Sequence, residues 1–333
     1  GIILVTGATG SGKSTTVYSM LQRLNKEDTN IITVEDPIEM NIEGINQVQT
    51  NSEIGLTFAN ALRSILRQDP NVIMIGEIRD TETAQIAVRA SITGHIVLST
   101  LHTNDSLTTI ERLLDMDVQR YLLSSALTGI ISQKLARKLC PHCKKLRPTN
   151  EYEKDIFKKV LGKDIKEIYS NEGCDECSNG YQGRIAIHEV LLINQEIRDA
   201  ISSNVRKDKL RHLVYKSDVT TLLQDGLEKV LQGQTTLEEI LKIVELEDDE
   251  KEEAFDIIDE SEENNDLQIK SAIAERPQNE TIQFEMPAQS SNQIFKQNNS
   301  LNNNQNTQNV QNSLINDSNQ QLDYLEDLIN NKF

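Results

Sequence analysis

Gly7-Ala8-Thr9-Gly10-Ser11-Gly12-Lys13-Ser14 fills every position of a G-x-x-x-x-G-K-[ST] phosphate loop. Its flanks are those the loop requires. Ile2-Ile3-Leu4-Val5 before it is β-prone, and Val17, Met20, Leu21 and Leu24 after it recur at helical spacing. A chain that passes from strand to helix through such a turn aims backbone N–H groups and a helix N-terminus at one anion. Gly7, Thr9, Gly10, Ser11 and Gly12 form the cradle, Lys13 reaches the β/γ-phosphates, and the Ser14 hydroxyl ligates Mg²⁺. The loop therefore predicts binding of a nucleoside triphosphate, with ATP and Mg²⁺ as ligands.

The pattern around the loop is that of an α/β protein with a mainly parallel sheet. Ile31–Glu35, Val72–Ile75 and Ile96–Thr100 read as buried strands, and Phe58–Arg67 and Thr81–Ser91 as helices. Ile38–Thr50 alternates weakly, which predicts a β-hairpin, and Ser106–Leu139 carries helical spacing throughout. Four segments follow: an ATPase core over 1–139, a cysteine-bearing module over 140–190, a small helical subdomain over 191–246, and a tail over 247–333.

Charge separates the tail from the rest. Residues 247–333 hold 19 acids and 5 bases, which leaves −14 of the net −18 there and −4 over residues 1–246. The tail is acidic and Asn/Gln-rich, and a segment with so little apolar surface to bury is expected to be disordered. Within it, Leu322, Leu325, Leu328 and Ile329 have near-helical spacing that suits a short helix formed only in a partner's groove. The first 246 residues show no basic bias toward nucleic acid, and no apolar run is long enough to span a membrane. The chain opens on Gly1 and enters a strand at once, which reads as a fragment lacking its N-terminal portion.

Three constellations extend the nucleotide chemistry. Val72-Ile73-Met74-Ile75-Gly76-Glu77 is a strand ending in an acid, at the sheet edge where ligands of parallel α/β folds sit. A carboxylate there orients and deprotonates a water attacking the γ-phosphate, so Glu77 is the candidate base. Glu35 and Asp36 end another strand and are placed to hold the metal's water shell, while Glu39 reads as a loop charge. His102 follows the strand 96–100 and is placed to sense the γ-phosphate, whereas His95 at the other end reads as structural or interfacial.

Together these segments resemble the secretion ATPase superfamily, the motors of type II secretion and type IV pilus assembly. The match runs through the phosphate loop, Thr33-Val34-Glu35-Asp36-Pro37-Ile38-Glu39, Gly76-Glu77-Ile78-Arg79-Asp80, and Thr93-Gly94-His95 through Leu101-His102-Thr103-Asn104-Asp105. The resemblance implies a RecA-like P-loop NTPase core. It puts Lys13, Ser14 and Thr15 on the nucleotide, Glu77 as catalytic acid, Glu35 and Asp36 in an acidic box, and His95 and His102 in a histidine box. It also implies a homo-hexamer working on inner-membrane platform and anchoring proteins, cytoplasmic and peripheral at the inner face of the plasma membrane. An alternative is a nucleotide-binding assembly subunit without turnover, because the family's N-terminal subdomain is missing from this chain. Secretion and pilus assembly are not separated at this level.

Cys140-Pro141-His142-Cys143 and Cys174-Asp175-Glu176-Cys177 are two C-x₂-C knuckles, 30 residues apart. Four thiolates in this pattern suit a closed, tetrahedral structural Zn²⁺. Disulfides are the rival, at odds with the reducing cytosol of an ATP-dependent protein, and His142 is a lesser candidate ligand. Such an insertion resembles that of the secretion and pilus-extension branch, and Gly180–Glu189 looks like the segment that follows it there. Arg184 reads as a structural ion-pair partner. Lys134, Arg137, Lys138, Lys144, Lys145 and Arg147 read either as a solvated basic face or as a docking surface for an acidic loop or lipid headgroups.

Overall fold

The all-buried run Ile2–Thr6 forms β1, and α1 (Lys13–Leu24) starts inside the phosphate loop. The structure is a computed structural model and describes residues 1–216 and 219–244. Strands β2 (Ile31–Glu35), β3 (Asn46–Gln49), β4 (Val72–Ile75) and β5 (Ile96–Leu101) alternate with α2 (Phe58–Ile65) and α3 (Thr81–Ile92). Next come α4 (Ser106–Asp115), α5 (Arg120–Ala126) and β6 (Leu127–Leu139). The sheet has seven strands in the order β3-β2-β4-β5-β1-β6-β9, where β9 is Tyr181–Leu192. Every pairing is parallel except β6 with β9. Such a sheet is covered on both faces, which is why β1, β2 and β4 are apolar or buried at every position rather than alternating.

Two expectations fail here for identifiable reasons. Residues 38–45 form no hairpin arm; β3 instead pairs in parallel with β2 at the sheet's edge. Glutamine side chains replace the missing ladder: Gln47 Oε1 accepts from the Ile42 amide at 2.8 Å, and Gln47 Nε2 donates to the Met40 carbonyl at 3.0 Å. The helical reading of 106–139 holds for α4 and α5 and ends at Leu127, where the 13-residue β6 begins. Residues 127–133 are buried throughout, and a doubly buried strand has no polar face to reveal its period.

Between β6 and β9 the chain forms β7 (Lys145–Pro148), α6 (Glu151–Leu161) and β8 (Glu167–Ser170), with β7 and β8 paired antiparallel. After β9 come α7 (Gln195–Ser202), α8 (Lys207–Lys216), α9 (Leu222–Leu231) and a further helix over residues 237–244. The main core lies under β1–β5 with α2–α5, α7 and α8. A second core gathers Ala136, Phe157, Ile168, Ile187, Leu227 and Ile240. It draws on β6, the cysteine-bearing segment and the last helices together, and the position 190 expected as a boundary falls within β9. The tail 247–333, including the candidate helix at Leu322, lies outside the described residues.

Candidate functional site

Parallel strands place the C-terminal ends of β1, β2, β4 and β5 along one edge, and the phosphate loop, Glu35–Asp36, Glu77 and His102 all follow those ends. The loop is built on three glycines with left-handed or otherwise positive φ, at Gly7 (144°), Gly10 (81°) and Gly12 (88°). Lys13 is buried and lies back over the turn, donating to the Gly7 carbonyl at 2.8 Å and the Ala8 carbonyl at 3.1 Å. Burial lowers the Lys13 pKa, and the nearby Glu77 charge partly restores it. The Ser11 hydroxyl is buried in the loop without a hydrogen-bond partner. A loop with an orphaned hydroxyl, a cation resting only on carbonyls and an N-terminal helix end fits a phosphate group. The Ser14 hydroxyl donates to Glu39 Oε1 at 3.1 Å, which brings to the site an acid that the sequence suggested was only a loop charge. Thr15 is exposed, and Thr16 turns inward to Gln133 Oε1 at 2.6 Å.

Glu77 sits between a guanidinium and an imidazole. Arg79 pairs with Oε1, and His102 Nε2 lies 3.1 Å from Oε2. Burial works against the Glu77 charge, but the Arg79 and His102 contacts outweigh it and hold the carboxyl below its ordinary range. The Glu77 side chain is 14% exposed and His102 49%, so the acid is shielded while the imidazole still faces solvent. Arg79 also lies 4.0 Å from Asp36 Oδ2, joining the acidic turn to Glu77. Gly76 stands where many phosphate-loop proteins carry an acid, and a Cβ there would crowd the Val34 carbonyl oxygen at 3.3 Å. Thr100 fixes this turn by donating to the Gly76 carbonyl at 2.7 Å, and the Ile78 amide binds the Thr100 carbonyl at 3.0 Å.

Glu35 and Asp36 part company. Glu35 is buried and accepts from Thr33 Oγ1 at 2.6 Å, from Gln47 Nε2 at 2.9 Å and from the Tyr18 hydroxyl. Burial and the Glu35 contact push the Tyr18 phenol up to about 12, so it stays a donor. Asp36 is exposed. His95 lies at the opposite sheet edge, beside Gly1, with Nδ1 2.9 Å from the Ala90 carbonyl. It is away from the loop, whereas His102 is on the same edge.

The four cysteines converge. Their sulfurs lie within 4.8 Å of one another, with Cys140–Cys174 at 3.9 Å, Cys143–Cys177 at 3.7 Å and Cys174–Cys177 at 3.6 Å. A tetrahedron with metal–sulfur bonds of about 2.3 Å has edges of about 3.8 Å, so the donor set fits one Zn²⁺. The thiols are free, far beyond the S–S bond length of about 2.05 Å. His142 turns to Glu176 at 3.2 Å and is not among the converging donors.

The basic residues around the first knuckle are largely committed. Arg137 grips Glu239 through Nε at 3.0 Å and Nη2 at 2.6 Å, and Arg147 grips Glu153 at 2.9 and 2.6 Å. Lys144 donates to the Gly233 carbonyl at 2.8 Å, and Lys134 to that of Ile243 at 3.2 Å. Arg184 faces Arg137 across the β6–β9 ladder and makes no ion pair among the described residues, contrary to expectation. Like charges opposite one another repel, and Glu239 is taken by Arg137.

Residues 1–242 match the family described as "Type II/IV secretion system protein". The chain belongs to this family. Over 244 residues it is 49% identical to the type II secretion system protein E of Aeromonas hydrophila, covering 73% of this chain and 48% of that protein. It is 48% identical over 243 residues to the type IV pilus assembly ATPase PilB of Thermus thermophilus, covering 72% of this chain and 27% of PilB. The chain thus spans about half the length of the type II relative it matches. Among solved structures it is similar to the pilus retraction motor PilT with bound ADP, at 35% identity and a TM-score of 0.55, covering 73% of this chain and 60% of that one. Family membership and the parallel α/β sheet agree with the resemblance seen in the motifs. Among the described residues no helix is long and apolar enough to cross a membrane.

Proposed function

We propose that the chain is the ATPase unit of a homo-hexameric motor that hydrolyses ATP to power type IV pilus assembly or type II protein secretion. Its RecA-like core would act on an inner-membrane platform protein and its anchoring partners, at the cytoplasmic face of the plasma membrane. One observation carries the reading: a shielded acid, Glu77, stands beside His102 on the sheet edge that also presents the Lys13 phosphate loop.

The residues take the following parts. Lys13 exchanges two loop carbonyls for phosphate oxygens, a charge-assisted contact in place of neutral ones. Backbone amides of Gly7, Thr9, Gly10, Ser11 and Gly12 enclose the phosphates, with Thr15 beyond them. Ser14 would hold Mg²⁺, which neutralises phosphate charge when bound. Glu39, on the Ser14 hydroxyl, and Asp36, exposed beside Arg79, are the acids that would meet the metal's water shell, while Glu35 supports the turn through Tyr18, Thr33 and Gln47. Glu77 orients the attacking water and takes its proton once Arg79 yields. His102 then faces the γ-phosphate. Cys140, Cys143, Cys174 and Cys177 would hold a structural Zn²⁺.

The reading is tested in the full-length protein by Glu77→Gln. ATP binding should survive and hydrolysis should fall about 10²–10⁴-fold, as for loss of a general base. Turnover near that of the wild type would assign the base elsewhere.

A further inference from the structure

The phosphate loop rests on a residue to which the reading above gives no role. Gln133, on β6, is 2% exposed, and its side-chain amide is used at both ends. Nε2 donates to the Ser11 carbonyl at 2.7 Å, and Oε1 accepts from the Thr16 hydroxyl at 2.6 Å. The orientation of the amide is forced, because a carbonyl oxygen only accepts whereas a hydroxyl serves either way. Two loop glycines are shaped to the same residue. A Cβ on Gly7 would lie 2.4 Å from the Gln133 backbone carbonyl oxygen, and one on Gly12 would lie 2.8 Å from Nε2 of its side chain. At Gly7 the obstacle is backbone and a side chain does not fit; at Gly12 a side chain would have to displace the Gln133 amide.

In a trans peptide the C=O and the following N–H point in opposite directions. Anchoring the Ser11 carbonyl to β6 therefore turns the Gly12 N–H away from Gln133 and into the cradle. The other end of the amide ties down Thr16 in the first turn of α1, so one side chain spans the loop and the helix that follows it. We infer that Gln133 is a positioning residue of the nucleotide site, bracing the phosphate loop against β6 so that its amides are already aimed at a phosphate. The inference rests on the nucleotide-binding reading and adds to it a residue outside the loop motif. Binding to a preorganised cradle avoids the ordering that a free glycine-rich loop would need.

The test uses the full-length protein with Gln133→Leu, Gln133→Glu and Thr16→Val, reading the affinity for fluorescent mant-ADP with Mg²⁺. Gln133→Leu removes both bonds; Gln133→Glu keeps the shape and the Thr16 bond but sets an acceptor against the Ser11 carbonyl. Each should weaken binding about tenfold or more, and Thr16→Val by about threefold. The double variant Thr16→Val with Gln133→Leu should bind no more weakly than Gln133→Leu alone, since both act through one brace. KM for ATP should rise with kcat little changed, because the brace serves ground and transition states alike; a glutamine that only fills space would not produce that split. Wild-type affinity in a folded Gln133→Leu or Gln133→Glu protein overturns the inference. Should both fail to fold, wild-type affinity in Thr16→Val overturns it. Absence of mant-ADP binding by the wild type overturns instead the nucleotide reading beneath it.

Discussion

At the scale of single residues the site is a set of charges held in check by one another. Lys13 lies on its own loop's carbonyls, and replacing it by Ala removes the only ammonium in the loop. Lys13→Ala should abolish binding of a fluorescent ATP analogue, measured by titration, and unchanged affinity would remove the phosphate-loop assignment. Glu77 gives a pH prediction. Arg79 and His102 hold its carboxyl below the ordinary value, so the carboxylate stays ionised to a lower pH than a free glutamate would. Activity that depends on ionised Glu77 is lost as pH falls through that depressed pKa. Arg79→Gln removes that guanidinium from the unliganded protein, raises the pKa, and should move the acid limb of the kcat/KM profile to higher pH. A limb that stays in place or moves downward would separate Arg79 from the base. Gln133 gave no signal in the sequence, because an isolated polar residue acquires a role only through partners far along the chain; Glu39 and Arg79 stood inside quoted motifs, but their contacts with Ser14 and Glu77 did not show there.

At the scale of elements, β1, β2, β4 and β5 with α1, α2 and α3 follow directly from apolar runs and their punctuation, and they lie within a residue or two of where the pattern puts them. The element that escaped is β6. Its burial on both sides erases the alternation that identifies a strand, and it supplies Gln133, Arg137 and the approach to Cys140. The knuckles hang from β6 and the start of β9, whose ladder ends at Leu139 opposite Tyr181. A Zn²⁺ on these four sulfurs would close the end of a ladder already held by backbone bonds. Purified protein should carry about one Zn²⁺ per chain, and Cys140→Ser with Cys174→Ser should lose it. Protection from amide exchange should then fall between β6 and β9 while β1–β5 keep theirs. Metal analysis returning no zinc with four free thiols would rule out the site.

At the scale of the molecule, the large sheet carries the nucleotide edge, and the second core ties β6 and β9 to α6, α9 and the helix over residues 237–244. The basic residues read as a solvated face or a docking surface are mostly clamps within this assembly, as Arg137 on Glu239 and Lys144 on Gly233 show. Every residue assigned a role in the nucleotide or metal sites lies before position 190. Deleting residues 260–333 should therefore leave ATPase activity and hexamer formation intact in the full-length protein, checked by phosphate release and by light scattering. Loss of the ring on deletion would make the tail part of the working motor.

Sequence by itself determined the phosphate loop, the strand-end acids, the histidine beside them and the paired cysteine knuckles. Each is a local pattern: a turn needs its glycines, a cradle its lysine, a tetrahedral metal its four thiols, and short-range spacing records all of them. Only the tertiary structure decided which acid is buried and which is free, as between Glu35 and Asp36, and that Glu77 is clasped by Arg79 and His102. It alone placed Gln133 beneath a loop 122 residues away in the chain. Burial and pairing at such distances depend on how strands are ordered in a sheet, and parallel order joins residues that no local spacing brings together.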